Sequence, residues 1–121
     1  MIDCEEPFID RDIKFYVTDD DFANIVRKAI YSTSYWALPW SDELIRGGES
    51  EIVEIENVDN HYGLTRKVFN RGLLMFLTEM KRNGELDRYL NSKSVVANAV
   101  SETDADAIVQ YALFSEIRYA F

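Results

Sequence analysis

At 121 residues, 47% apolar and 13% aromatic with only two prolines, the chain has the size and composition of one folded domain, which buries about two-thirds of its unfolded surface, and it is excluded from the disordered class. A formal charge of −9, from 22 acidic and 13 basic residues, excludes general affinity for nucleic acid. A lone cysteine, Cys4, excludes an internal disulfide and a zinc knuckle; with no apolar run near the ~18 residues of a membrane span and no signal-peptide pattern after Met1, a reducing cytoplasm is the expected compartment.

Residues 1–12 are expected as a flexible acidic segment of the single domain. Ile13-Lys14-Phe15-Tyr16-Val17 is rich in β-formers and predicts a first strand. Thr18 then caps a helix that runs to about Ser34. Asp19, Asp20 and Asp21 fall in its first turn, and Phe22, Ile25, Val26, Ala29 and Ile30 recur at helical spacing. Pro39 breaks regular structure within Tyr35-Trp36-Ala37-Leu38-Pro39-Trp40, which predicts a loop folded against the core. Arg46-Gly47-Gly48 is a turn signal, and Glu51-Ile52-Val53-Glu54-Ile55-Glu56 predicts a strand with one acidic face. Asp59-Asn60 turns it into a partner strand at His61–Leu64.

Thr65 is placed to cap a second long helix whose apolar stripe is Val68, Phe69, Leu73, Phe76, Leu77 and Met80, with Asn83-Gly84 as its stop. Gly72 lies inside that stripe at a propensity cost of about 1 kcal/mol, which predicts close packing against another element. Glu85–Asn91 adds a further helical turn or two. Thr103 is expected to cap a last helix, with Asp106 at its third position and Ala105, Ile108, Val109, Ala112 and Leu113 facing inward; Glu116–Phe121 is expected as a terminal strand. The sum is an α+β domain: a small antiparallel sheet of three or four short strands packed against about three helices.

Charge is clustered. Residues 1–21 hold eight acids and two bases, residues 42–59 seven acids and one base, and residues 64–93 seven bases and three acids, so the molecule is expected to be dipolar. No catalytic pattern accompanies this. His61 is the single histidine and reads as a surface turn residue; the aspartate triplet lacks the spacing of a calcium loop and fits helix capping; Arg46-Gly47-Gly48 lacks the lysine of a P-loop. No enzyme, metal or cofactor is expected.

Three features suit binding, each with a plainer reading beside it. Glu54 and Glu56, two apart on a strand, place carboxylates about 7 Å apart on one side, a spacing like that of nucleic-acid phosphates. With Glu49 and Glu51 they form either a backbone mimic or a solvated edge whose charge deters pairing. Lys67, Arg71, Thr78 and Arg82 share the polar face of the second helix, as an anion-contact surface or as its wet side. Tyr35, Trp36 and Trp40 form either a stacking platform and partner-binding hot spot, or core.

Tyr35-Trp36, Arg46-Gly47-Gly48, Gly72 in its apolar helix and above all Asp104-Ala105-Asp106-Ala107-Ile108-Val109-Gln110-Tyr111-Ala112-Leu113-Phe114 together resemble a family of small proteins, without an assigned activity, encoded by phages and mobile elements of Gram-positive bacteria. The likeness covers roughly residues 17–121. The family carries a glycine where this chain has Ser115, and ends in another glycine where this chain has Ala120-Phe121. The resemblance implies a phage setting, and small acidic phage proteins are by analogy often inhibitors of host defence. The expectation is a non-enzymatic inhibitor that binds a bacterial defence protein in the host cytoplasm, in the manner of an anti-CRISPR protein whose acidic surface blocks a nucleic-acid channel. The expected partner is a CRISPR effector, with no direct nucleic-acid or membrane contact and with either a monomer or a homodimer. The alternative is a binder that sequesters a nucleotide signal with Lys67, Arg71, Arg82 and the aromatics.

Overall fold

The Thr18 hydroxyl accepts a hydrogen bond from the Asp21 backbone N–H and opens helix α1 (Asp19–Ser32), as its sequence predicts. In the computed structural model, which describes residues 9–120, α1 is followed by a short 3-10 turn at Glu43–Arg46 and strands β1 (Ser50–Val53) and β2 (His61–Leu64). Next come α2 (Arg66–Arg82), the two-residue strands β3 (Leu90–Asn91) and β4 (Ser94–Val95), and α3 (Glu102–Phe114). Cys4, most of the acidic segment expected at 1–12, and Phe121 lie outside the described residues. The α+β class stands, with four strands in two separate antiparallel pairs, β1–β2 and β3–β4.

Helix α3 is the centre of the packing, with α1 and α2 both against it. Ala105, Ile108, Val109 and Ala112 on α3 are fully or nearly buried, as are Phe22, Ile25 and Val26 on α1 and Phe69, Leu73 and Leu77 on α2. Phe22 and Phe69 meet edge to face at 5.2 Å. Gly72 answers the expectation of close approach: a Cβ there would lie 2.4 Å from the Ile108 carbonyl oxygen and 2.7 Å from the Ala112 backbone nitrogen. Its absence lets two helix backbones touch.

Several expectations are corrected. Residues 13–17 do not make a strand. They join the β3–β4 pair through one parallel bridge, Tyr16 to Ser94, because a two-residue strand offers too few partners to extend it. That hairpin was not expected from the sequence; Ser92 and Lys93 turn it with positive φ (50° and 74°) and without glycine. The cap of α3 is Ser101, in a reciprocal capping box with Asp104, rather than Thr103 with Asp106. Ser115 ends α3 in the left-handed region at φ 60°, a conformation that glycine adopts more readily than serine.

The tail after α3 is not a strand. Its backbone is held by one side chain: Gln110 Oε1 accepts from the N–H groups of Arg118 and Tyr119, and Gln110 Nε2 donates to the Tyr119 carbonyl. Gln110 thus supplies the donor and acceptor that a neighbouring strand would have given.

Candidate functional site

Period-2 alternation along β1 decides where the acidic residues go. Ser50 and Ile52 face inward and are fully buried, and Glu54 has the same parity. Glu54 is therefore 4% exposed, which corrects the acidic edge expected of it. It accepts from the hydroxyls of Tyr62 (2.6 Å) and Tyr119 and from Asn60 Nδ2 (3.2 Å), with Arg118 at 3.9 Å. Burial alone would raise the Glu54 carboxyl pKa; the hydrogen bonds from Tyr119, Tyr62 and Asn60 outweigh it and hold it below the usual carboxylate range. In return the Tyr119 phenol, hydrogen-bonded to that carboxylate and buried beside it, is pushed up to about 12.

A second buried carboxylate, Asp106, sits 7% exposed on α3. Its oxygens accept from Trp36 Nε1 (2.8 Å), Gln110 Nε2 (3.0 Å) and the Tyr35 hydroxyl (2.6 Å). Burial first, and then Asp106, raise the Tyr35 phenol well above its ordinary range. Tyr119 joins the two carboxylates: its hydroxyl serves Glu54, its carbonyl accepts from Tyr35 and Gln110, and its ring stacks on Trp36 at 5.2 Å and 4°. This network clamps the C-terminal tail onto the body through groups whose protons are already committed.

The aromatics expected as a platform are corrected accordingly. Trp36 and Trp40 are buried, the indole of Trp40 donating to Thr33 Oγ1, so neither presents a face to a partner or ligand. On α2, Thr78 is buried, its hydroxyl donating to the Leu74 carbonyl and accepting from the Asp10 N–H, and it leaves the polar stripe. Lys67, Arg71 and Arg82 are exposed; Arg82 pairs with Glu79 at 3.2 Å and Arg71 reaches Ser115 Oγ at 3.5 Å. At 1.5 Å per residue, Lys67 and Arg82 stand about 22 Å apart along the helix, too far to close on one nucleotide.

What remains at the surface is the β1–β2 hairpin. Glu49, Glu51, Glu56 and Asp59 are exposed on it, beside Ile55 (45% exposed) and Val58 (57%). Glu51 pairs with His61 Nδ1 at 2.6 Å, and His61 Nε2 lies 2.9 Å from the Val58 carbonyl, so the histidine staples the hairpin. The exposed Leu38 is brought alongside by the Leu38 N–H donating to the Val53 carbonyl and the Ile55 N–H to Trp36. Glu49, Glu51 and Glu56 thus sit where the sequence places an acidic surface, without Glu54; the two exposed apolar residues of the loop had no sequence signal beyond their alternation with Glu54 and Glu56.

Among the described residues no helix is long and apolar enough to cross a membrane, and no three His, Cys, Asp or Glu side chains gather as a metal site would. No family model, curated protein or solved structure matches this chain.

Proposed function

We propose that this chain is a non-enzymatic, phage-encoded inhibitor that acts in the bacterial host cytoplasm by docking the tip of its β1–β2 hairpin into the basic nucleic-acid channel of a defence effector, in the manner of an anti-CRISPR protein. The observation that carries the reading is the composition of that tip. Glu56 and Asp59 neighbour the exposed Ile55 and Val58 along the loop, with Glu51 exposed on β1 and Glu49 at its base. Exposed carboxylates match a channel built for phosphates, and central apolar side chains give what charge alone does not, since screened surface pairs add little affinity. The hairpin is held in shape before binding by the Glu51–His61 pair and by its bridge to residues 36–38, which limits the entropy lost on docking. The phage setting is supported by the resemblance of residues 104–114 to small phage proteins.

The test is capture by immobilised protein from bacteria expressing CRISPR and other defence effectors, with Glu56→Lys combined with Asp59→Lys as the comparison. Capture of a nucleic-acid-binding effector that weakens at least several-fold in the reversed variant and with rising salt is the expected outcome. Equal capture by both proteins would remove the hairpin from the mechanism.

A further inference from the structure

Beside the tail clamp lies a cleft of about 700 Å³ that the hairpin does not touch. Its walls are the end of α1 with the turn after it (Tyr31, Ser34, Tyr35), the first half of α3 (Glu102, Asp106, Ala107), and the tail at Ile117–Ala120. Its volume is that of a small-ligand site.

The chemistry of the lining has one sign. Among the described residues no Lys, Arg or His lines the cleft, while Glu102 and Asp106 stand at i and i+4 on one face of α3, a like-charge pair one turn apart. Among the described residues neither forms an ion pair, and the buried Asp106 carboxylate is met only by the neutral donors of Trp36, Tyr35 and Gln110. Buried charge is ordinarily matched by an opposite charge, and among the described residues none supplies one here. Helix ends modify this only slightly. The partial positive charge at the start of α3 is covered by Glu102 and Asp104 in its first turn, and the partial negative end of α1 has no basic residue in its last turn. Phenol rings of Tyr31, Tyr35 and Tyr119 border the same space, and the Ser32 hydroxyl, also in the wall, is buried without a hydrogen-bond partner among the described residues. Tyr31 is 71% exposed although its ring is large and apolar.

We propose that this cleft binds a small organic cation, an alkyl chain bearing an amine or guanidine, with the charged head between Glu102 and Asp106 and the chain along the tyrosine rings. Carboxylates supply the charge, aromatic faces attract a desolvated cation, and the net charge of −9 raises the local concentration of such molecules. The cleft would act independently of the hairpin.

The probe is agmatine, which carries an amine at one end and a guanidine at the other, titrated calorimetrically into the whole protein and followed by amide NMR shifts. Expected are saturable one-to-one binding, shifts centred on Ser34, Thr103 and Ala107, a roughly two- to fivefold weaker affinity in Glu102→Gln, and loss of at least about tenfold in Ala107→Phe, whose ring fills the cleft. Asp87→Asn, at an exposed position outside the cleft lining, leaves the affinity unchanged. Both cleft variants alter partly or fully exposed positions, and Glu102→Gln keeps the test decisive if the larger substitution disturbs folding. Absence of saturable binding, shifts spread over the acidic hairpin instead of the cleft, unchanged affinity in both cleft variants, or equal binding of adenosine monophosphate would each overturn it.

Discussion

Replacing Glu54 by glutamine keeps its shape and removes its charge, which makes it the sharpest test of the clamp. The carboxylate accepts from Tyr62, Tyr119 and Asn60, and hydrogen bonds to a charged group contribute about 1.5–3 kcal/mol each against about 0.5–1.5 for neutral pairs. Glutamine keeps one carbonyl oxygen for Tyr62 and Asn60 and turns an NH₂ toward Tyr119, which must then accept. Three charge-assisted bonds become weaker ones, a loss of about 3 kcal/mol, offset in part because the charge no longer has to be buried. A net destabilisation of about 1–3 kcal/mol is expected, which at about 1.5 kcal/mol per molar of urea lowers the unfolding midpoint by roughly 1–2 M. Trp36, stacked on Tyr119, reports the transition by fluorescence. The effect also has a pH signature. The folded-state pKa of Glu54 is depressed, so its stabilisation is present above the ordinary carboxylate range and lost as pH falls through the folded value. The wild-type advantage over Glu54→Gln should therefore be full at neutral pH and shrink on acidification below about pH 4. Equal midpoints, or a gap that does not narrow in acid, would refute the clamp.

Gly72→Ala should destabilise despite the better helix propensity of alanine, because the added Cβ meets the backbone of α3 and not a movable side-chain end. Overpacking of about 1–3 kcal/mol against a propensity gain of about 1 leaves a Tm lower by several degrees, and a raised Tm in calorimetry would contradict the contact. The imidazole of His61 should titrate above its ordinary value, first because of its hydrogen bond to Glu51, and return toward it in Glu51→Gln; NMR titration of the ring reads both. Since the folded value is raised, whatever the pair adds to hairpin order is present at low pH and lost as pH rises through that value. Glu56→Lys with Asp59→Lys, both at exposed positions, should leave the urea midpoint within a few tenths of a molar of wild type while weakening effector capture.

Local chemistry was legible in the sequence. Thr18 and Thr65 accept from backbone N–H groups three residues on, and the aspartate triplet lies in the first turn of α1, so these roles follow from spacing alone. Gly72 was legible because a glycine within an apolar helical stripe weakens the helix unless a neighbouring backbone needs the room, as α3 does here. Glu54 was legible in principle: Ser50 and Ile52 fix the inward parity of β1, and Glu54 continues it, but weighing its charge above its parity sends it to the surface. The Ser92-Lys93 turn lacks the glycine or asparagine that marks such hairpins. Asp106 and Gln110 act on Trp36, Tyr35 and Tyr119, partners as far as 71 residues away, and no local pattern announces such pairings. The cleft arises where three separate segments meet, which spacing along one chain does not reveal.

The proposed docking of the hairpin on a surface built for nucleic acid is open to a competition experiment. A captured effector is incubated with the immobilised protein and increasing amounts of its duplex DNA or guide-paired target. If the hairpin fills the channel, nucleic acid and this protein should exclude one another, with the competition weakened in the Glu56→Lys, Asp59→Lys variant. Simultaneous binding of both at saturation would place the hairpin outside the channel and overturn the proposal.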